Sequence, residues 1–332
     1  MASTGVIIVN TGTPDELTEE AIRDFLRSML RDTMLISVPP FIWKRILEHF
    51  ILPNRPKKTI LSYAKVWDED GSLFINISKR QRAALERELA RRGFDAGQVS
   101  VELCMRYSHP LIEEGLAKLK QQSVDRVVCV PLYPQYVNVC AGTCLKEFDR
   151  CLAELVDDTW NPTVCKVTDF YQNMSYRSAL AASVKRAWQP KEGSKLVVSF
   201  HSTVMSDIDA GDPYKEQTEA TAKNLAADLG MDPADVLVSY QSRFDSRKWL
   251  APFTPDVLEQ LAVMGVKDVC IVTPGFVAEN IESKVEAGEE LREVFLKKAG
   301  DGASYTYVPT LNDDPGLINA MADAIEQAAG EK

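Results

Sequence analysis

Nowhere in this sequence do apolar residues run uninterrupted for the ~18 positions that a membrane-spanning helix requires. A bilayer-crossing segment is therefore not expected. The opening MASTGVIIVNTGTP carries no basic stretch ahead of a long apolar run. No secretory leader is expected, and the expected location is the cytoplasm. Glycine-rich phosphate cradles are missing as well. Neither G-x-G-x-x-G nor G-x-x-x-x-G-K-[ST] occurs, so nucleotide binding has no motif behind it. Positive charge is in deficit, with 38 Lys and Arg against 48 Asp and Glu and a net charge of −10. That balance disfavours a protein that tracks nucleic-acid phosphates and tolerates a cationic metal as partner. Histidine is scarce, three in all, and the seven cysteines are an odd number. An odd count without a leader argues against a disulfide framework and leaves thiols or metal ligation. No internal repeat or low-complexity tract is visible.

The 332 residues, 45% of them hydrophobic, suffice for about two domains of ordinary size. Short β-branched runs at 5–10, 99–105, 126–132, 195–200, 236–239, 269–273 and 305–308 read as strands. Amphipathic stretches at 77–92, 110–121, 214–229, 255–264, 281–298 and 316–329 read as helices. The alternation is that of βαβ units, so the expected fold class is α/β, with mostly parallel sheets flanked by helices. The turn-rich 156–163, where Asn161-Pro162 breaks any helix, sets the expected boundary between domains 1–160 and 161–332.

In open parallel sheets ligands bind beyond the carboxyl ends of the strands, so chemistry is sought there. The first strand runs into Asn10-Thr11-Gly12-Thr13-Pro14, the second into Arg106-Tyr107, and the third into Pro131 to Tyr136. These aromatic, arginine and hydroxyl groups suit a flat apolar ligand with acidic edges. The strand KLVVSF ends in His201, whose imidazole could take a proton near neutral pH or ligate a metal; a packed structural histidine is the alternative. Asp212, ahead of Pro213, reads as a helix cap. After VCIVT come Glu279, Glu282, Glu286 and Glu289-Glu290, whose spacing places them on one helical face. Such a stripe is ordinarily a solvated face. Opening directly after a strand, it reads better as a path for a divalent cation, which carboxylate and imidazole bind weakly and exchangeably.

The ordered segments VNTGTP (9–14), RPKK (55–58), MRYSHP (105–110), PLYPQY (131–136), SFHS (199–202), GDPY (211–214), YQSRF (240–244), WLAPFT (249–254) and PGFVAENIES (274–283) resemble the ferrochelatases over nearly the whole chain. The resemblance implies two Rossmann-like chelatase domains, a porphyrin cleft between them, and insertion of ferrous iron into protoporphyrin IX to give protohaem. It implies His201 and Glu282 as catalytic residues and Glu286 as a second carboxylate; with Glu279 from the acidic stripe, these make the candidate metal set His201, Glu282, Glu286 and Glu279. It implies Thr13, Arg106, Tyr107, Tyr136, Trp249, Leu35 and Ile36 as porphyrin contacts, and a π-type distortion in the carboxylate helix. The chain departs from the usual family residues at Thr203-Val204 and at Glu279-Asn280. Rival readings are a chelatase for coproporphyrin or cobalt, and a porphyrin or haem carrier without turnover. No nucleic-acid partner is expected.

Two further features stay open at this point. The segment 35–52, rich in apolar residues beside Lys44 and Arg45, is either a core helix or a lip that touches a membrane and accepts the macrocycle. Cys140, Cys144, Cys151 and Cys165 either hold a [2Fe–2S] cluster, as some ferrochelatases do, or are plain buried thiols.

Overall fold

The computed structural model describes residues 3–36, 38–94 and 98–330. The chain divides into two compact units, one of residues 1–132, 138–168 and 321–332, the other of residues 133–137 and 169–320.

In the first unit β1 (Thr4–Asn10) is buried along its whole length, because VIIV offers apolar side chains to both faces of the sheet. The helices α1 (Glu19–Leu30), α2 (Pro40–Ile46) and α3 (Arg55–Ala64) follow, then a short hairpin of β2 (Trp67–Asp68) and β3 (Gly71–Ser72). Next come α4 (Leu73–Arg92), β4 (Val99–Met105), α5 (Ile112–Gln121), β5 (Arg126–Pro131), α6 (Thr143–Leu155) and β6 (Thr163–Lys166). The four longer strands form one sheet in the order β4-β1-β5-β6, every pair parallel. Because β6 pairs with β5, residues 161–168 sit in this unit rather than with the half that follows residue 160. Gly5 and Gly115 let α5 lie close on the sheet. A Cβ at Gly5 would stand 2.5 Å from Leu119, and one at Gly115 would stand 2.3 Å from the Cys104 sulfur.

The second unit runs α7 (Met174–Ala187), β7 (Lys195–His201), α8 (Met205–Asp209), α9 (Tyr214–Leu229), β8 (Val236–Gln241), α10 (Thr254–Val263), β9 (Asp268–Val272), α11 (Leu291–Ala299) and β10 (Ser304–Val308). It also holds residues 315–320 of α12 (Pro315–Ala328). Its sheet is parallel throughout, in the order β10-β9-β7-β8. Val197, Val257, Leu258, Leu261, Val269 and Ile271 form its core with Ala287, Leu291, Phe295 and Ala299. The last four recur every fourth position and anchor one helical face against the sheet.

The sheet order fixes where a ligand belongs. From β7 the chain moves to β8 on one side, and from β9 to β10 on the other. The loops leaving the neighbours β7 and β9 therefore diverge and open a crevice at their carboxyl ends, the topological switch point of the sheet.

Candidate active site

His201 is the last residue of β7 and pairs with Gln241, the last of β8. The pairing of β7 with β9 ends at Val198, three residues earlier, so His201 stands beyond the edge of β9. Its backbone is pinned: the Tyr214 hydroxyl donates to the His201 carbonyl at 2.9 Å, and Ser202 N–H donates to the Gln241 carbonyl at 2.8 Å. Tyr214 packs edge-on against Phe200 with ring centroids 6.4 Å apart. The imidazole Nδ1 lies 2.6 Å from the Ser202 carbonyl. A carbonyl only accepts, so Nδ1 carries the proton and the neutral ring keeps its lone pair on Nε2. The N-cap of α9 is Pro213, not Asp212 as read from the sequence; Asp212, one residue earlier, still accepts from Tyr214 N–H at 3.0 Å.

From β9 the chain passes through Thr273-Pro274-Gly275 to a π-helix, Ile281–Glu290, that carries Glu282 and Glu286. Leu291 N–H bonds back to the Glu286 carbonyl, the i−5 spacing of a π turn, and that extra residue per turn re-aims side chains relative to an α-helix. The Glu286 carboxylate is clasped. Ser242 N–H donates to Oε1 at 3.0 Å, the Ser242 hydroxyl donates to Oε2, and Gln241 Nε2 donates to Oε2 at 3.1 Å. The same Gln241 amide reaches the Glu282 carbonyl at 2.7 Å, while Ser199 Oγ donates to Gln241 Oε1 at 2.7 Å. Burial lifts the Glu286 carboxyl above its ordinary range; Ser242, His201 and Gln241 pull it down, and the charge of Glu282 pushes it further up. Glu282, half-buried, accepts no side-chain hydrogen bond and makes no ion pair among the described residues.

Glu279 requires a correction. It does not share a helical face with Glu282 and Glu286, because the helix begins at Ile281, with Asn280 as its cap in extended conformation. Glu279 precedes that cap and is 7% exposed. Its oxygens accept from Thr310 N–H at 3.0 Å, Tyr307 Oη at 3.0 Å and Ser283 Oγ at 2.7 Å. This carboxylate fastens the start of the π-helix to the turn after β10, and its lone pairs are committed to that task. Among the described residues no three His, Cys, Asp or Glu side chains gather as a metal-holding group. His201, Glu282 and Glu286 are thus not a closed resident site.

Trp249 is buried, donates from Nε1 to Asp245 at 2.9 Å, and meets Phe244 at 4.9 Å between ring centroids. Tyr136 is half-buried, its N–H donating to Gln217 Oε1 at 2.6 Å.

In the first unit the residues predicted to touch a porphyrin are organised by one that sequence reasoning passed over, Asp32. Its Oδ2 accepts from Arg106 Nη2 at 2.7 Å, Tyr107 Oη at 2.9 Å and Thr143 Oγ1 at 2.6 Å. Its Oδ1 accepts from Met34 N–H at 2.8 Å, and its carbonyl accepts from Leu35 and Ile36 N–H. Although burial opposes it, the hydrogen bonds and the Arg106 charge hold this carboxyl below its usual range. Tyr107 is 5% and Ile36 6% exposed, so both pack inside the unit, whereas Arg106 and Leu35 are half-buried. Thr13 is also buried, its hydroxyl accepting from Ser72 at 3.4 Å. In the segment 35–52, of which residue 37 lies outside the described residues, α2 buries no residue. Phe41 and, beyond α2, Phe50 are 74% and 73% exposed while Leu47 and Leu52 are buried, so the core-helix reading of 35–52 fails over α2 and holds only for single side chains near its end.

The four cysteines do not gather as a ligand group among the described residues. Cys144 is fully buried, and burial and then Cys140 push its thiol far up, while Cys140 and Cys165 are half-buried. Cys151 is pushed up to about 11 by burial and by Glu147. No group of three or more such ligands exists among the described residues, and none of the seven cysteines is in a disulfide.

Two four-stranded parallel sheets, one carrying a histidine and a carboxylate helix at its switch point, define the class: an α/β chelatase fold. The fold is shared with SirB from Bacillus subtilis, solved with Fe3+, at a TM-score of 0.56 and 14% identity, with 99% of this chain and 97% of that chain covered. The sequence profile of the ferrochelatase family matches residues 3–329. The ferrochelatase of Bordetella pertussis is 39% identical over 324 residues, 97% of this chain and 87% of that protein. That of Aeromonas hydrophila is 38% identical over 323 residues, 97% of each chain. The chain belongs to the ferrochelatase family, and it is an enzyme of the lyase class that joins a metal to nitrogen.

Proposed function

We propose that the chain inserts ferrous iron into protoporphyrin IX, releasing two protons for each protohaem formed, with His201 as proton acceptor and Glu282 as the exchangeable iron ligand. The observation that carries this reading is the pairing at the switch point. His201 ends β7, the Glu282 helix follows β9, and Gln241 at the end of β8 pairs with His201 while holding Glu282 and Glu286.

Each metallation removes two pyrrole N–H protons, and a group facing the macrocycle must take them one at a time. The Nε2 lone pair of His201, defined by the Nδ1 bond to Ser202, suits that transfer. Glu282 offers a carboxylate that no neighbour among the described residues occupies, and oxygen donors hold ferrous iron loosely enough to give it up to four pyrrole nitrogens. Bending the ring so that a lone pair meets the metal draws on binding energy from the rest of the macrocycle. Arg106 and Leu35 are the first-unit groups retained here as macrocycle contacts. Tyr107, Ile36 and Thr13 are buried, and Tyr107 packs against Arg106, whose guanidinium lies 4.7 Å from its ring centroid. Tyr136 and Trp249 are retained in the second.

The location proposed is the cytoplasm, with peripheral membrane contact. Exposed Phe41, Ile42, Phe50 and Leu61, beside the exposed Lys44, Arg45, Lys57 and Lys58, support a lip that meets anionic lipid. No helix among the described residues is long and apolar enough to cross a membrane. Flotation with anionic liposomes checks the lip: the native chain is expected to float, and the Phe41→Ser, Phe50→Ser variant to stay at the bottom.

Anaerobic insertion assays with ferrous iron or cobalt against protoporphyrin IX and coproporphyrin test the substrate. The highest kcat/KM is expected for ferrous iron with protoporphyrin IX. A higher value for coproporphyrin or cobalt would reassign the substrate, and binding without turnover would make the chain a carrier.

A further inference from the structure

We propose that Ser242 is a positioning residue for iron: its hydroxyl and its main-chain N–H together clasp both oxygens of Glu286, fixing one carboxylate so that Glu282 alone remains free to exchange the metal. The proposal rests on the ferrous-iron reading of this site and adds to it a residue with no role so far.

Ser242 follows β8 directly and has φ of +67°, the left-handed region that a residue with a Cβ occupies only under strain. That conformation turns the N–H and the hydroxyl of one residue toward the same carboxylate, N–H to Oε1 at 3.0 Å and hydroxyl to Oε2. Glycine would adopt the conformation without strain and would present the same N–H. What serine adds at this position is the hydroxyl, and the hydroxyl is spent on Glu286. The clasp is braced from the strand side, because Gln241 also donates to Glu286 Oε2 and is itself held by Ser199 in β7. On the other side residues 243–246 are exposed, so Ser242 marks where the rigid sheet end gives way to a surface loop.

The two carboxylates thereby take different parts. Glu286 is held by three donors, and its carboxyl is fixed in place. Glu282, on the same π-helix, has its main chain held by Gln241 at 2.7 Å and its carboxylate unengaged among the described residues. One carboxylate fixed in place beside one that is free to exchange suits a metal that must arrive, wait and leave.

The test is anaerobic titration calorimetry with ferrous iron alone, no macrocycle present, on the full chain and on Ser242→Gly. The variant keeps the backbone conformation and the N–H and loses only the hydroxyl. Affinity for ferrous iron is expected to fall about tenfold, the range for one hydrogen bond to a charged group, while the thermal midpoint stays within about 2 °C, since the backbone can relax. In a Glu286→Gln background the same substitution is expected to change iron affinity by less than about twofold, because the coupling partner is gone. Equal iron affinity in native chain and variant overturns the proposal, as does an undiminished loss in the Glu286→Gln background or a native chain that binds no ferrous iron. A normal calorimetric result beside absent porphyrin metallation would instead count against the substrate reading alone.

Discussion

At the scale of the residue, Asp32 shows how one buried carboxylate can organise a surface that it does not itself form. It gathers Arg106, Tyr107 and Thr143 and fixes the backbone of Met34, Leu35 and Ile36. The Arg106 side chain is 18% exposed and that of Asp32 6%, so removing the carboxylate leaves a nearly buried cation without its main partner. Asp32→Asn is expected to cost about 3 kcal/mol of stability at pH 7, read by urea unfolding. The pH dependence follows from the direction of the shift. The Asp32 carboxyl is held below its ordinary 3.8 when folded, so its contribution is complete above the unfolded-state value and is lost as pH falls through the folded one. The stability gap between native chain and variant should therefore be constant from pH 7 to 5 and shrink below about pH 4. A gap that widens on acidification would contradict this. Asp32 was not legible in the sequence because its partners lie 74, 75 and 111 positions away, beyond any local pattern. Glu279 was misread for a related reason: its spacing to Glu282 is helical, but the cap at Asn280 begins the helix after it.

At the scale of the element, the strands of both sheets were legible almost to the residue, because VIIV, KLVVSF and VCIVT are short apolar runs bounded by turns. The strand β6 was not. Its TVCK is four residues long and largely exposed at a sheet edge, where no apolar run marks it. The helix read at 281–298 is in fact a π-helix joined to α11, a distortion implied by family resemblance and invisible to periodicity. Close approach of elements also went unread. Gly316 in α12 lies against α7 so tightly that a Cβ would stand 2.6 Å from that of Ala179 and 3.1 Å from the Ser175 carbonyl. Gly316→Ala must push the helices apart and is expected to cost about 1–3 kcal/mol, measured by the shift in urea midpoint. An unchanged midpoint would mean that the contact is slack.

At the scale of the molecule, the two units resemble each other in construction, each a four-stranded parallel sheet with its chain reversing direction at a central strand. Only the second places a histidine and a π-helical carboxylate pair at that reversal. The sequence located these groups through strand ends and through resemblance; what it could not supply was their connection through Gln241 and Ser242. That Cys140, Cys144, Cys151 and Cys165 form no three-ligand group among the described residues predicts that protein purified without oxygen shows no iron–sulfur absorption in the visible range. A band pattern lost on chelation or oxidation would contradict it.

The measurement closest to the centre of this account separates macrocycle binding from metallation in the His201→Ala variant. Porphyrin fluorescence quenching reports the first and anaerobic haem formation from ferrous iron the second. Binding within about threefold of the native chain, with insertion lowered by at least 100-fold, is the result expected for loss of a proton acceptor. Insertion at the native rate would contradict the role given to the imidazole and, with it, the reading of the β7 and β9 switch point as the catalytic centre.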